Sequence, residues 1–538
     1  MKYDSMKKLS YLFVAVIINL ISFGQIPFKY DVQIVSKTVT GFPGVHSFVH
    51  GQANGKWVII GGRRDGLHAR QPFNAFPEAY NNMDIFVIDP VTEQLWTASL
   101  NGLPTSIKEQ LQTTNMNFHQ EGDTLYLLGG YGYSATATDH ITFPNLTSVV
   151  VSDLIDAVVQ GTSIDALFKQ ITEQNFAVAG GHLATLGDTF YLVCGNRFDG
   201  RYNPMGNATY VQTYVNGIRK FTIDNSGAQL SFANYSEITD QVHLHRRDYN
   251  LVPQIYPNGE DGLMISSGVF QIGVNAPFLY PVDITANGYT PQTGFNQYLS
   301  NYHSPIVGVY DGASNAMHSL FFGGMSQYYY SNGTLVQDNA VPFVKTISRV
   351  SRDVNGNLLE VVFPNEMPGL IGASAEFINN ESLPMSPIGV ILLDQISADS
   401  VMIGHVVGGI ATTSLNPFTA NNSVSTSASN GIYEVWLKRN DLATIQVIDG
   451  NNPFKVAIHP NPTEGDLTLE ITTPYAALTN LFVTNIDGKI VYEMELSADN
   501  GSLFKLNCQE AHLSKGTYLF NFVYDGKFSR IEKVILTK

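Results

Sequence analysis

Trp57-Val58-Ile59-Ile60-Gly61-Gly62 is a short apolar run that ends in two glycines, and five further stretches repeat it with variation. They are Leu125-Tyr126-Leu127-Leu128-Gly129-Gly130, Phe190-Tyr191-Leu192-Val193-Cys194-Gly195, Leu263-Met264-Ile265-Ser266-Ser267-Gly268, Ser319-Leu320-Phe321-Phe322-Gly323-Gly324 and Ile403-Gly404-His405-Val406-Val407-Gly408-Gly409. A bounded apolar run of this length reads as a buried strand. The glycines let the chain turn at positive φ where a crowded inner strand leaves for a loop. Each run follows another strand and a turn, as in Phe118-His119-Gln120-Glu121-Gly122-Asp123-Thr124, so each unit holds one hairpin.

A second register marks the other half of the unit. Asp89, Asp224 and Asp353 each have an apolar residue six before, another three before and a leucine six after. Met83, Phe86 and Leu95 thus correspond to Ile218, Phe221 and Leu230, and to Ile347, Val350 and Leu359. Two hairpins make a four-stranded antiparallel sheet, and about six such sheets set radially make a β-propeller whose faces bury one another. The early strand Tyr30 to Val39 is expected to pair with the last unit and hide an edge. Ser152–Val159 and Ile164–Phe168 have apolar spacing near 3.6 and read as a helical insertion, with Ser152 or Thr162 as caps.

Composition agrees with many strands and turns. Of 538 residues, 14% are charged and 11% aromatic, and there are 47 glycines. The formal charge of −16 argues against a nucleic-acid partner through bulk electrostatics. Two cysteines, Cys194 and Cys508, fall in what read as separate domains, so no disulfide framework is expected. Cys194 reads as core rather than nucleophile.

The two ends carry addresses. Lys2, Lys7 and Lys8 precede an apolar run from Leu9 to Phe23, the pattern of a signal peptide over 1–24. The run is about 15 residues, short of the roughly 20 that span a bilayer. No transmembrane segment is expected in the mature chain. At the other end, Ile458-His459-Pro460-Asn461-Pro462-Thr463-Glu464-Gly465 makes a tight turn before the alternating strand Asp466–Ile471. Leu481–Ile486 meets Lys489–Tyr492 across Asp487-Gly488, and Lys515–Phe522 and Ser529–Leu536 follow as strands.

These landmarks, Pro-Asn-Pro, Asp-Gly-Lys and Lys-Gly-Thr-Tyr, resemble the C-terminal sorting domain of the type IX secretion system (Por secretion system, type A) of Gram-negative bacteria. The resemblance implies a small β-sandwich at 455–538 that engages the type IX machinery, and a protein secreted or attached to the outer cell surface. The middle of the chain resembles kelch-type propellers in its apolar strand, Gly-Gly and, in the first unit, Ile85–Asp89 with Trp96. Units here recur at roughly 55 to 85 residues against about 50 for kelch, so loop insertions are expected. The expected organisation is an all-β chain: signal peptide 1–24, propeller 25–447, linker 448–454, sorting domain 455–538.

A propeller gathers the loops that enter its innermost strands, and those that leave the glycine pairs, on one axial face. His46, Asn115, Asn117, His182, Arg246, Arg247, Asp248 and His303 come from the first kind of loop. Arg63, Arg64, Asp65, His68, Tyr131, Arg197, Tyr328 and Tyr329 come from the second. Guanidinium groups fork onto carboxylates and aromatic faces accept sugar rings. The ligand-binding candidates are Arg63, His182, Arg197, Arg247, Asp248 and His303, with an acidic glycan or a protein as ligand and no cofactor.

The structural alternative is that adjacent Arg and Asp, as in Arg63-Arg64-Asp65 and Arg246-Arg247-Asp248, pair internally. It gains if those pairs saturate one another. His243-Leu244-His245 reads as an exposed strand sooner than a metal pair. No nucleophile elbow, phosphate loop or calcium loop is present. A binding protein is therefore expected. The alternative is a carbohydrate-active enzyme. It would be a uronate lyase, with Arg197 or Arg247 neutralising the carboxylate and His182 or His303 as base, or a sialic-acid mutarotase of the kind some kelch propellers provide.

Overall fold

The computed structural model describes residues 28–68, 75–203, 209–274, 276–331, 334–418, 425–440, 446–447, 455–472, 477–485, 489–498, 502–524 and 528–538. The leader read at 1–24 and the linker read at 448–454 lie outside them. Each glycine-ended run is the second strand of a four-stranded antiparallel stack. In the first sheet Val49–Ala53, Lys56–Ile60, Asp84–Asp89 and Gln94–Ser99 lie side by side in chain order. The third, fourth and fifth sheets repeat that order, beginning at His182, Asn250 and Ile306.

The second sheet starts at Thr114–Glu121, and its long second strand, Thr124–Ser134, continues beyond the glycines into a side ribbon. That ribbon pairs Asp139–Thr142, Asn196–Gly200 and Tyr210–Tyr214. The sixth sheet takes Leu370–Asn379, Ser400–Thr412 and Ile432–Arg439, and completes itself with Tyr30–Lys37 from the other end of the chain. The register runs from Tyr30 opposite Arg439 to Lys37 opposite Ile432. Pairing there covers an edge strand that would otherwise offer unpaired backbone groups.

The shared aspartates have a local cause. Asp89 accepts hydrogen bonds from the N–H groups of Val91 and Thr92, both at 2.9 Å. Asp224 accepts from Ser226 at 2.9 Å, and Asp353 from Asn355 and Asn357 at 2.9 and 2.8 Å. Each carboxylate closes the outer hairpin of its sheet.

The faces of adjacent sheets bury one another. Val58, Ile60, Ile85 and Val87 of the first sheet pack on Leu125, Leu127 and Val149 of the second, and Val252 and Met264 of the fourth meet Phe321 and Val350 of the fifth. A helix at Val151–Gln160 fills the seam between the first two sheets with Leu154, Ile155 and Val158. Its first turn is tied by Asp123, which accepts from the Ser152 N–H at 3.0 Å; Ser152 lies inside the helix and is not its N-cap, and Thr162 instead closes its C-terminal end, donating its N–H to the Ala157 carbonyl at 2.9 Å. Ile164–Phe168 is turn, not helix, because Gly161 ends the helix at φ 67°. His243-Leu244-His245 is also turn rather than strand: Leu244 is buried, and the imidazoles contact Tyr280 and Asn216.

The C-terminal module has a three-stranded sheet, Lys455–His459, Asp466–Thr472 and Ser502–Asn507, and a four-stranded one. The latter orders Ile490–Ala498, Ala477–Asn485, Gly516–Tyr524 and Phe528–Leu536. Leu467, Leu469, Leu481, Val483, Phe520 and Phe522 form their shared core. Asn461, between the two prolines, donates to the Lys533 carbonyl at 2.6 Å and accepts from the Ile535 N–H at 3.0 Å. The proline-flanked turn is thereby fastened to the last strand.

Candidate ligand site on the axis

Six residues, each in or just before the first strand of a sheet, join a closed circuit of backbone hydrogen bonds. The Ser47 N–H donates to the Ser374 carbonyl at 2.9 Å, Ser374 to His303 at 3.0 Å, and His303 to Asp248 at 2.9 Å. Asp248 donates to Gly180 at 2.9 Å, Gly180 to Asn115 at 3.3 Å, and Asn115 back to Ser47 at 3.2 Å. Because the circuit returns to its start, the segments that carry it surround a common axis. Five of its members hold positive φ, between 49° at Asp248 and 66° at Gly180, which swings each N–H sideways toward the neighbouring sheet. The ring divides two cavities, and Ser47, Asn115, Gly180, Asp248 and His303 border both.

Above the ring is a cup of about 110 Å³. Phe76, Tyr131, Phe198 and Tyr202 form an aromatic wall, with the rings of Phe198 and Tyr202 5.1 Å apart edge to face. Leu67, Met325, Ala373, Ile410 and Phe418 supply an apolar patch. The polar remainder includes His46, Arg63, Arg247, Asp248 and His303. Below the ring is a space of about 20 Å³, room for a single water-sized guest. Asn117, His182 and Glu376 reach it because each lies two residues beyond a ring member on an extended strand, and so on the same face.

The arginines divide sharply. Arg63 is saturated: Nε and Nη2 donate to Asp65 at 2.9 and 2.7 Å, and Nη1 donates to Asn81 at 2.9 Å. Arg197 donates to Asp199 at 2.9 Å and to Gln174 at 3.2 Å and does not line the cup. Arg246 is wholly buried, bonded to the carbonyls of Ser267 and Tyr280 and stacked against Phe278.

Arg247 differs. Its Nη1 stands 3.6 Å from Asp248, too far for a tight fork, and its Nε has no hydrogen-bond partner. Its side chain is 12% exposed, and the guanidinium lies 4.9 Å from the Phe270 ring centre and 5.6 Å from that of Phe198. Burial disfavours its charge, but the Asp248 carboxylate beside it outweighs that and holds it cationic.

His303 has one foot in each cavity. Its Nε2 meets Glu376 Oε1 at 3.1 Å. Burial opposes charge on the imidazole, yet Glu376, aided by Asp248, raises its pKa above the ordinary value. Burial likewise opposes charge on Glu376, and His303, by charge and hydrogen bond, overcomes it and lowers its pKa. His182 bonds the Tyr249 carbonyl at 2.8 Å, and burial with repulsion from His303 brings it down to about 4. It therefore stays neutral, and it lies beneath the ring, not in the cup.

Of the six candidates, the structure gathers Arg63, Arg247, Asp248 and His303 around the cup, sets His182 below it, and leaves Arg197 outside. Glu376, Tyr202, Phe76 and Phe418 escaped the sequence reading. Tyr202 follows the third glycine-ended strand and was findable by counting loops; Phe76 and Phe418 arrive from long connections with no marker. Among the described residues, no group of three or more His, Cys, Asp or Glu is placed to hold a metal ion, and no helix is long and apolar enough to cross a membrane. Cys194 and Cys508 are free and buried.

The fold is thus all-β and propeller-like. Residues 457–537 match the secretion system C-terminal sorting domain. That match marks the chain as secreted or cell-surface and implies interaction with the type IX machinery. No curated protein matches the chain. Among solved structures, that of YjhT is similar over 75% of this chain and 97% of its own, with 11% identity and a TM-score of 0.41.

Proposed function

We propose that this is an exported six-bladed, kelch-type propeller, residues 25–447, whose linker and β-sandwich sorting domain at 455–538 deliver it, and whose axial cup binds a carboxylate-bearing glycan. The carrying observation is Arg247, a buried guanidinium lining the cup, whose Nε has no hydrogen-bond partner and whose polar contacts are Asp248 at 3.6 Å and the Tyr214 hydroxyl. A ligand carboxylate would supply the missing acceptors, and the neighbouring aromatic rings offer a stacking face. Arg63 and Asp65 serve as a rigid border.

Incubating the purified protein with an array of acidic glycans tests the reading. Binding is expected, and Arg247→Ala is expected to abolish it; a signal that survives Arg247→Ala would overturn the assignment. Binding only to a protein would move the carboxylate to a side chain or chain end.

The His303–Glu376 pair favours one second reading, proton transfer on the bound ligand. Of the residues named for a uronate lyase, Arg197 and His182 do not line the cup, leaving Arg247 and His303. Turnover of a uronate polymer, followed by the absorbance of its unsaturated product and lost in His303→Ala, would establish catalysis.

A further inference from the structure

We infer that Ser47 is a nucleophile: with His46 as its base and Asp65 behind the imidazole, it opens a small acyl ester held in the cup. This goes beyond the binding reading above and does not rest on it. Three observations carry it.

The first is the order of the groups. The Ser47 hydroxyl lies 3.0 Å from His46 Nδ1, and the other ring nitrogen, Nε2, stands 3.7 Å from an Asp65 carboxylate oxygen. A carboxylate only accepts, so the nitrogen that faces it carries the proton. Nδ1 then holds a lone pair, and the serine hydroxyl donates to it. A base beside a hydroxyl, with a third group orienting that base, is the arrangement that activates a nucleophile. Burial lowers the His46 pKa against the pull of Asp65, so the imidazole is neutral and able to take a proton. Burial also opposes charge on Asp65, and its contacts with His46 and Arg63 overcome that and keep it ionised. The base directly precedes the nucleophile in the chain, so no spaced motif announces the pair.

The second is position. The residue before each ring member lines the cup and not the space below: His46, Thr114, Ala179, Arg247, Tyr302 and Ala373. His46 is therefore a cup residue, and its bond to Ser47 draws that hydroxyl to the cup side of the ring. Ser351 gives the contrast. Its hydroxyl also meets an imidazole, His318 Nδ1 at 2.8 Å, but both residues are wholly buried and the Arg349 guanidinium contends for the same nitrogen at 3.0 Å.

The third is a spare donor. Asn115 donates its N–H to the Ser47 carbonyl, which sets the preceding residue, Thr114, at the neighbouring place on the cup wall. The Thr114 hydroxyl is buried and has no hydrogen-bond partner among the described residues. It is the donor on offer to an oxyanion formed on the substrate carbonyl.

In the reaction, Ser47 Oγ bonds the acyl carbon while its proton passes to His46 Nδ1. The ester C–O bond breaks, and the alcohol leaves with that proton. Water then attacks the acyl-serine and yields a proton to His46; the Oγ–C bond breaks, Ser47 recovers the proton, and the acyl group leaves as a carboxylic acid. Ester and water become alcohol and acid, with no change of oxidation state.

Diisopropyl fluorophosphate, which phosphorylates activated serines, tests this on the purified chain by intact mass and peptide mapping. One adduct is expected, on Ser47, together with turnover of p-nitrophenyl acetate. No adduct on Ser47 would overturn the proposal, whatever the variants do. His46→Gln is expected to slow labelling about 100-fold, and labelling at the wild-type rate would remove His46 as base. Asn tolerates the positive φ of this position, as Asn115 does in the second sheet, so Ser47→Asn is expected to fold and to lose both adduct and turnover; turnover that persists would place the chemistry elsewhere. Asp65→Asn is expected to slow labelling and to lower the His46 titration midpoint followed by NMR, since the carboxylate supports the imidazolium; a midpoint that stays put would strip Asp65 of its positioning role.

Discussion

At the scale of single residues, three Arg-Asp neighbours in sequence have two different fates. Arg63–Asp65 and Arg197–Asp199 fork together closely, while Arg247–Asp248 stays at 3.6 Å. Adjacent residues on an extended backbone point apart, and the i, i+2 pairs point together. The two tight pairs have a residue between them, whereas Asp248 follows Arg247 directly and leaves the extended path at φ 49°.

The His303–Glu376 pair gives a pH prediction. His303 has its pKa raised from an ordinary 6.5, so its contribution is complete below that value and fades as pH climbs through the raised one. Glu376 is lowered from 4.5, so its contribution is complete above that value and fades as pH falls through the lowered one. Their joint support is therefore fullest between about 4.5 and 6.5. Glu376→Gln should flatten this dependence, cost about 3 kcal/mol in denaturant unfolding, and drop the His303 titration followed by NMR below its wild-type midpoint. A His303 midpoint that does not move would refute the pairing.

At the scale of elements, the glycine pair is the device that lets a crowded inner strand leave for the axial face. Gly129 holds φ 71°, and a Cβ there would drive into the Val178 carbonyl of the next sheet; Gly62 holds φ 80° against the His46 carbonyl. Gly129→Ala should lower stability by about 2–4 kcal/mol, combining left-handed strain with backbone overlap, whereas Gly122→Ala, at a hairpin tip with open space, should cost only about 1 kcal/mol. Thermal melts of the two variants give the comparison, and equal losses would deny the close approach. The six runs and the outer aspartates were legible because strand period and turn chemistry are local. The second helix was misread because apolar spacing near 3.6 over five residues carries too little information against the turn that Gly161 imposes.

At the scale of the whole molecule, the sixth sheet joins Tyr30–Lys37 to Ile432–Arg439, and Phe28, Tyr30 and Val32 enter the core beneath it. Removing residues 25–40 should expose that edge and core together, so the shortened chain is expected to aggregate or to melt far below the intact one; an unchanged melt would refute closure through this strand. A chain ending before residue 455 should fold its propeller normally but fail to reach the cell surface, as fractionation would show.

The sequence by itself determined the strands, their turns, the grouping into repeating units and the export address, since each rests on spacing and on residues close together in the chain. Only the tertiary structure decided which side chains share the cup, because the ring joins Ser47 to Ser374 and residues hundreds of positions apart meet there through backbone hydrogen bonds that any side chain can make. Such bonds leave no mark on residue type, and with them the roles of Glu376, Phe76 and Phe418 stayed hidden until the sheets closed around one axis.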